Sequence, residues 1–235
     1  MNKKSILTIS FYQLLNKILD ILFPKKCLGC NRANTYFCPI CFNEIEIYKN
    51  NYCFLCGKPT NQANICCNNL IDKIIVTVEY RDPIIRKIIK NFKYKYIKEL
   101  KIPLSKFLIA SLENIEKPID YIIVPIPLHK KRQRQRGFNQ SELLAKEISK
   151  YFNIPIYNAL KRNINTQAQA NIKETEKRKE NIKNAFKIQD KELIKNKNII
   201  LIDDVATTGA TLLEASKILK QNQANKIYGL VVAKG

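Results

Sequence analysis

The sequence predicts an α/β fold in which helices flank a parallel sheet, and three observations carry this prediction. Segments rich in Ile and Val have the composition of buried strands and lie at 73–80, 121–127, 198–203 and 226–233. Segments with helical periodicity lie between them, at 83–92, 99–112, 138–151 and 210–221. Strands that alternate with helices form a parallel sheet buried on both faces, so we expect a ligand beyond the carboxyl ends of the strands.

Composition places the chain among globular proteins with room for more than one domain. At 235 residues and 46% hydrophobic content it can bury a core, and we divide it into segments 1–24, 25–70 and 71–235. The net charge of +21 suggests a polyanionic partner such as nucleic acid. However, only eight of the 41 basic residues are Arg, and a Lys-rich composition alone gives the same charge. Both interpretations stay open.

Residues 1–24 are predicted to form an amphipathic helix that ends at Pro24, because their apolar residues recur at helical spacing. Its apolar face is expected to pack on the protein, with contact to a membrane surface as the alternative. Polar residues interrupt its apolar centre and no small-residue cleavage site follows, so a signal peptide is not predicted. No apolar run reaches about 18 residues, and we expect a soluble, cytoplasmic protein without a membrane span.

All eight cysteines lie between residues 27 and 67. They form three Cys-x-x-Cys pairs and one adjacent pair: Cys27 and Cys30, Cys38 and Cys41, Cys53 and Cys56, and Cys66 and Cys67. A Cys-x-x-Cys pair directs two thiolates at one tetrahedral ion, so the spacing predicts a Zn²⁺ module over 25–70. Disulfides are the alternative, but they are rare in the cytoplasm.

Pairing in chain order gives one zinc site from the first four cysteines and a second from Cys53, Cys56 and Cys66 or Cys67. A crossed arrangement that joins the first and third pairs is the alternative. Adjacent cysteines do not form the usual knuckle, which leaves open which sulfur binds in the second site. Four protein ligands fill a tetrahedral site, so we interpret the zinc as structural, replacing the core that so short a module lacks.

The stretch IILIDDVATTGAT, residues 199–211, places two carboxylates directly after an apolar strand. Adjacent like charges such as Asp203 and Asp204 are costly there unless a positive or hydroxyl-rich partner faces them. A loop then leads into a helix, with Ala206, Thr207, Thr208, Gly209, Ala210 and Thr211 as its candidate ligand-binding residues. Hydroxyls and a helix N-terminus make a phosphate cradle, so we predict ribose 5-phosphate as the absent partner.

This stretch resembles the signature of the type I phosphoribosyltransferases. The resemblance implies that the acidic pair holds the ribose hydroxyls of phosphoribosyl pyrophosphate, that the loop holds its 5-phosphate, and that Mg²⁺ accompanies the diphosphate. By position, residues 124–128 with Pro125 and Ile126 resemble the pyrophosphate loop of that family. The sequence shows no clear general base and no base-recognition segment, so it leaves turnover and the acceptor open.

Further segments resemble the ComF family of competence proteins, namely VPIPLHKKRQRQRGFNQSELLA at 124–145, TQAQ at 166–169 and RKENIKNAF at 178–186. With the cysteine pairs, this resemblance covers about residues 22–235. It implies a double zinc ribbon before a phosphoribosyltransferase-like domain, and a role in natural transformation with single-stranded DNA and partners such as a DNA uptake helicase. Gln169, Arg178 and Asn181 match family positions, whereas the adjacent Cys66 and Cys67 depart from the family's spacing.

A basic run follows the second predicted strand and contains Lys130, Lys131, Arg132, Arg134 and Arg136. The arginines suit a pyrophosphate or the backbone of a nucleic acid, and a solvated turn is the alternative. Tyr94, Tyr96 and Phe138 are candidate stacking platforms for bases, although Phe138 fits a core position better. His129 is predicted to be a turn residue with one hydrogen bond.

Residues 165–183 are polar and predict either a mobile loop over the site or an ordinary linker. Three functions therefore stay open: a DNA-handling competence protein that binds phosphoribosyl pyrophosphate, a phosphoribosyltransferase of nucleotide salvage, and a regulator that senses the metabolite. The cysteine module and the basic run favour the first, since salvage enzymes need neither.

Overall fold

The computed structural model describes residues 24–48, 53, 70–113, 120–166 and 180–235. The chain divides into two compact units, with the boundary between Ile45 and Glu46. The predicted amphipathic helix over 1–24 lies outside the described residues, apart from Pro24. No helix among the described residues is long and apolar enough to cross a membrane.

The described part of the first unit is built around four cysteines. Helix α1, Pro39–Asn43, follows an antiparallel bridge between Lys26 and Ala33. Asn31 and Asn34 adopt the left-handed region with φ of 62° and 66°, which turns the chain back tightly. Apart from cysteines, the described residues of this unit bury only Phe37 and Ile45 as hydrophobic side chains.

The second unit contains a parallel sheet, as predicted. Its four strands lie side by side in the order β1, β6, β5, β2, with bounds Lys73–Glu79 (β1), Ile227–Lys234 (β6), Asn198–Ala206 (β5) and Tyr121–Pro125 (β2). Every pairing within this sheet is parallel. The strand interiors are almost continuously buried because helices cover the sheet, which is why their sequences read as unbroken apolar runs. The predicted α/β fold class is confirmed.

Several helices of this unit begin at side chains that cap them. Their bounds are Pro83–Tyr94 (α2), Lys101–Glu113 (α3), Lys130–Arg136 (α4), Gln140–Phe152 (α5) and Ala210–Gln221 (α6), with a 3₁₀ turn over Lys98–Leu100. The Asp82 carboxylate accepts hydrogen bonds from the backbone N–H groups of Ile84 and Ile85 and starts α2. Asn139 caps α5 in the same way by accepting from the N–H of Ser141.

Helix α6 lies close against the sheet because β6 carries a glycine beneath it. A Cβ added at Gly229 would come within 3.0 Å of Ile71 Cδ1 and 3.1 Å of Leu212 Cδ1. A larger residue at this position would require the side-chain ends of Ile71 and Leu212 to shift. The close approach fixes the helix, and therefore the loop before it, relative to the strand ends.

Three features differ from the elements that the sequence predicts. Strand β5 continues to Ala206, so both carboxylates lie within the strand. The basic run forms helix α4 and not a turn. A small antiparallel sheet joins β3, Leu160–Arg162, to β4, Phe186–Ile188, and was not predicted because its strands are short and polar. Residues 167–179 of the predicted loop lie outside the described residues.

Candidate functional site

The acidic pair lies at the carboxyl end of β5, between the two neighbouring strands of the sheet. Successive side chains of a strand point to opposite sides, so Asp203 and Asp204 meet different helices. Oδ1 of Asp203 accepts a hydrogen bond from the Ser141 hydroxyl on α5 at 3.2 Å. Asp204 instead faces Lys93 on α2, with 2.8 Å between Nζ of Lys93 and Oδ1 of Asp204.

The carboxylates and Lys93 are electrostatically coupled. Burial lowers the pKa of Lys93, but attraction by Asp204 outweighs it and leaves that pKa above the ordinary lysine value. Burial and the adjacent charge of Asp204 raise the pKa of Asp203 to about 7, although Lys93 and the hydrogen bond from Ser141 act in the opposite direction. With a pKa of about 7, Asp203 is readily protonated near neutral pH, whereas Asp204 is paired with the buried Lys93 ammonium group.

The partner that the sequence requires for the carboxylates lies partly within the protein, and ribose 5-phosphate stays a prediction. Lys93 and Ser141 already supply a positive charge and a hydroxyl within the free protein. No sequence pattern indicates Lys93, because it lies far from the acidic pair along the chain, in a helix whose pattern is simply amphipathic. A ligand at this edge therefore enters a site that is already partly neutralised.

The predicted phosphate loop connects β5 to α6. Ala206 ends the strand, and Thr207 and Thr208 are half-buried beyond it. Gly209 has a φ of 71°, which an L-residue rarely adopts, and it precedes a helix of 12 residues. As the N-cap residue it offers no side chain, while the Thr208 hydroxyl accepts from the N–H of Ala210 at 3.4 Å. Ala210 and Thr211 form its first turn, where backbone N–H groups and the helix dipole favour an anion.

The residues that resemble a pyrophosphate loop lie on the neighbouring strand. Pro125 ends β2 opposite Ile202 of β5, so it lies beside the acidic pair. The N–H of Ile126 donates to the Ile202 carbonyl at 2.9 Å, and its own carbonyl accepts from the Asn139 side chain at 3.0 Å. Ile126 thus ties β2, β5 and α5 together at the edge where a ligand would bind.

Helix α4 brings two of its three arginines onto one side. Arg132 and Arg136 are four residues apart and half-buried, whereas Arg134 between them is exposed. Nη1 of Arg136 donates to Oε1 of Gln140 at 3.0 Å, and its guanidinium lies 5.3 Å from the Tyr94 ring centre. Arg132 donates to the backbone carbonyl of Thr166.

The remaining candidates near α4 have structural contacts. The Nδ1 atom of His129 accepts from the N–H of Lys131 at 3.3 Å. The predicted single hydrogen bond is therefore present, but it caps helix α4 and does not form a turn. Phe138 is buried with its ring centre 5.7 Å from that of Phe92, so the core interpretation is confirmed. Tyr94 and Tyr96 are half exposed, at 53% and 50%, which leaves ring surface for stacking on a base.

Arg162 on β3 is a further charged residue of this region that the sequence did not reveal. It is buried, its guanidinium donates to Oγ1 of Thr166, and it lies 5.5 Å from the Phe186 ring centre. Burial and repulsion by Arg132 and Arg136 lower the pKa of Arg162 to about 10, while Asp203 acts in the opposite direction. No local signal marks this residue, because a single arginine before a polar segment has no distinctive pattern.

The first four cysteines converge as their spacing predicts. The Sγ atoms of Cys27, Cys30, Cys38 and Cys41 all lie within 4.8 Å of one another, and those of Cys30 and Cys38 are 3.5 Å apart. Sulfurs bound tetrahedrally to one Zn²⁺ at about 2.3 Å have similar separations, so this set fits a structural zinc ion. It is the pairing in chain order, and not the crossed arrangement.

Hydrogen bonds already favour a thiolate in this cluster. Burial raises the pKa of Cys27, but N–H groups that donate to its sulfur, including that of Cys38 at 3.3 Å, lower the pKa to about 6. Burial and the neighbouring thiols raise the pKa of Cys41 to about 12. Cys53 is half-buried, and Cys56, Cys66 and Cys67 lie outside the described residues, so the second zinc site stays a prediction.

Comparison with known families defines the class of protein. A family described as "Double zinc ribbon domain" matches residues 18–69, and one described as "Phosphoribosyl transferase domain" matches residues 139–234. The parallel sheet and the four-cysteine cluster agree with both matches. The chain therefore has a zinc ribbon region followed by a phosphoribosyltransferase domain.

Individual relatives carry the identification further. "Competence protein F" of Haemophilus influenzae is 29% identical over 230 residues, which cover 90% of this chain and 98% of that protein. "Competence protein ComFC" of Bacillus subtilis is 28% identical and covers 77% of each chain. "DNA utilization protein YhgH" of Escherichia coli is 26% identical, covering 80% of this chain and 85% of its own. The resemblance to the ComF family is confirmed by these homologues.

Proposed function

We propose that this chain binds phosphoribosyl pyrophosphate and single-stranded DNA, and acts in the cytoplasm in DNA uptake or DNA use. The observation that carries the ligand assignment is the acidic pair at the end of β5, followed directly by the Thr-rich loop and the N-terminus of α6. Its carboxylates suit the two ribose hydroxyls, and the loop suits the 5-phosphate. The names of the relatives, which refer to competence and DNA utilization, support the biological role.

The DNA part of the proposal rests on α4 and the residues beside it. Arg134, Lys130 and Lys131 are exposed on this helix, and the exposed Tyr94 ring stacks with the Arg136 guanidinium. Cations for the phosphates beside aromatic rings for the bases are the usual elements of a single-strand binding surface. A zinc ribbon and such a surface favour DNA handling over nucleotide salvage. A partner such as a DNA uptake helicase fits the same role.

Mg²⁺ is proposed to arrive with the diphosphate of the ligand. Among the described residues, the four cysteines cluster closely enough to hold a metal ion, whereas no three carboxylates do. Asp204 is engaged by Lys93, so the protein contributes the orientation of the sugar and the phosphates. Bound Mg²⁺ would supply charge neutralisation of the diphosphate.

Calorimetric titration of phosphoribosyl pyrophosphate tests the site. Asp203→Asn and the double variant Asp203→Asn with Asp204→Asn are expected to weaken binding at least about 100-fold, because both remove acceptors for the ribose hydroxyls. A matched control removes two exposed carboxylates, Asp190→Asn with Glu192→Gln, and should bind normally. Equal affinity of the double variant and the wild type, with circular dichroism showing both folded, would overturn the ligand assignment.

Release of pyrophosphate, measured with and without single-stranded DNA and with a panel of bases, separates a ligand from a substrate. Turnover with a free base would favour the salvage enzyme. Binding without turnover, changed by DNA, would favour the DNA-handling role.

A further inference from the structure

Arginine is scarce in this chain, yet three arginines meet at one place. Only eight of the 41 basic residues are Arg, and Arg132, Arg136 and Arg162 are close enough for their charges to repel one another. Arginine differs from lysine in its planar fork of donors, which matches the oxygens of a phosphate or carboxylate. A cluster of arginines in a Lys-rich protein therefore indicates that the donor geometry of the guanidinium group is required at this place.

Thr166 holds two of these guanidinium groups next to each other. Arg132 donates to its backbone carbonyl, and Arg162 donates to its hydroxyl. Since both contacts involve one residue, the two guanidinium groups belong to a single small region. Arg162 is 7% exposed, so its charge is removed from water, and no carboxylate of the described residues forms an ion pair with it.

Two buried N–H donors in this region lack a hydrogen-bond partner among the described residues. They are Nε of Arg162 and Nε2 of Gln140, and both side chains are more than nine-tenths buried. Gln140 uses its carbonyl oxygen to accept from Arg136, which directs its amide group toward the same charged region. Buried donors without acceptors are costly, and an oxyanion would satisfy them.

We propose that Arg162, together with Arg132, Arg136 and Gln140, forms a binding site for a compact oxyanion, a phosphate or carboxylate group, beside Asp203. This rests on the proposed function, because the group must belong to a molecule that occupies the same edge of the sheet. Two sources share this chemistry. One is the diphosphate of phosphoribosyl pyrophosphate, and the other is an acid group on the acceptor that would attack its sugar.

The charge of the region supports an anion over a neutral ligand. Three guanidinium groups lie near one another, and the carboxyl group that acts on Arg162 is Asp203, whose charge is itself reduced by proton uptake near neutral pH. A purely structural arginine would be expected to end on a carboxylate or on several carbonyl groups. Arg162 has instead one hydroxyl acceptor and an aromatic neighbour, Phe186, which leaves part of its fork available.

The test compares Arg162→Gln and Arg162→Lys with Lys161→Gln, which removes an exposed charge from the adjacent position of β3. Probes are inorganic pyrophosphate, phosphoribosyl pyrophosphate, ribose 5-phosphate, and a pyrimidine carboxylate added after phosphoribosyl pyrophosphate, all titrated with Mg²⁺ present. Both Arg162 variants should bind at least one anionic probe about tenfold or more weakly than the wild type, and Lys161→Gln should change the affinity for none of them. Arg162→Lys keeps the charge and the stem, so it remains informative if Arg162→Gln does not fold.

The pattern of weakened probes identifies the source of the anion. If the Arg162 variants bind pyrophosphate and phosphoribosyl pyrophosphate more weakly but bind ribose 5-phosphate normally, the site holds the diphosphate. If only binding of the carboxylate is weakened, the site holds the acid group of the acceptor. If the wild type binds pyrophosphate through Arg162 but not phosphoribosyl pyrophosphate, the proposed function fails and the anion site stands. Unchanged affinity for every probe, equal weakening by Lys161→Gln, or no anion bound by the wild type would overturn the inference.

Discussion

Between Lys25 and Ile45 the buried apolar residues are mainly cysteines, whereas the sheet of the second unit is covered by Ile, Leu, Val and Phe. Few other side chains are buried in the described part of the first unit, so we expect a tetrahedral metal site to supply much of its folding free energy. The second unit has a core of its own and can place charged groups at its edge, including the Lys93 and Asp204 pair. We therefore expect stability to depend on metal in the first unit and on hydrophobic burial in the second, and substitutions in each unit should separate the two contributions.

The largest effect is expected from removal of one zinc ligand. Cys27→Ser should abolish metal binding at the four-cysteine cluster and unfold the first unit, because structural zinc contributes on the order of 10 kcal/mol. Elemental analysis should show one zinc fewer per chain, and hydrogen exchange should become fast over 24–45 while β5 and β6 stay protected. Arg32→Gln, an exposed change in the same loop, is the control. Native protein without zinc, or loss of protection in both units, would contradict the prediction.

The second effect concerns the ion pair at the edge of the sheet. Asp204→Asn should destabilise the second unit by about 3 kcal/mol, because it leaves the buried Lys93 ammonium without its partner. Asp203→Asn should leave stability unchanged or raise it, because burial and Asp204 disfavour the charge of that carboxyl group. Urea unfolding of each variant measures the difference.

The control for this prediction is Glu142→Gln. It breaks a more exposed ion pair with Lys146 on α5 and should cost less than about 1 kcal/mol. Equal destabilisation by Asp203→Asn and Asp204→Asn would show that Lys93 does not distinguish the two carboxylates.

A smaller effect, about tenfold in affinity, is expected for single-stranded DNA when Arg132, Arg134 and Arg136 are all changed to Gln. The slope of log affinity against log salt concentration should become shallower by roughly 0.7 for each phosphate that the variant no longer neutralises. Fluorescence anisotropy at several salt concentrations measures both quantities. The control changes three exposed lysines to Gln, Lys183, Lys187 and Lys191, and removes the same amount of charge. Wild-type affinity and slope in the arginine variant would place DNA binding elsewhere, with the zinc ribbon as the next candidate.

The smallest effect is a difference in the response of the two units to acid. The folded-state pKa of Asp203 is raised to about 7, so the folded second unit binds a proton more tightly than the unfolded chain does. The contribution of Asp203 to stability should therefore be largest at low pH and fall as the pH rises from about 4 through 7. The slope should be a fraction of the about 1.4 kcal/mol per pH unit that one full proton gives. The zinc site should respond in the opposite direction, because protons displace metal from thiolates.

Thermal unfolding from pH 4 to 8, compared between wild type and Asp203→Asn, isolates the contribution of that carboxyl group. The difference between the two curves should diminish toward low pH, where Asp203 is protonated. Zinc release over the same range reports on the first unit. Parallel pH profiles for wild type and variant would contradict the assigned pKa.

The strand, loop and helix around Asp203 were predictable because all their determinants are adjacent in the chain. The same holds for the four-cysteine cluster, whose spacing alone dictates which sulfurs meet. Helix α4 was missed although it carries signals, since His129 caps it, Gly137 ends it in the left-handed region, and Lys, Arg and Gln favour helices. The density of positive charge in this segment favoured a binding interpretation and gave no prediction of its backbone conformation.

Lys93 and Arg162 were not predictable from local patterns. Lys93 contacts the site from α2, and Arg162 contacts it from the small sheet of β3 and β4. The residues beside each of them in sequence form no pattern that indicates a site. Their importance depends on burial, because a lysine or arginine exposed to water would shift no pKa and require no partner. Such information arises only when distant segments are packed together.

The contact between Lys93 and Asp204 also bears on which sugars the site discriminates against. A neutral pentose offers only hydroxyls, and to reach Asp204 it must compete with an ammonium group 2.8 Å away while offering that group only neutral acceptors. A phosphorylated sugar brings its own negative charges, to which the released ammonium can turn. We therefore expect free ribose to be excluded while its phosphorylated forms are admitted, so that an internal lysine would act as a filter against the unphosphorylated sugar.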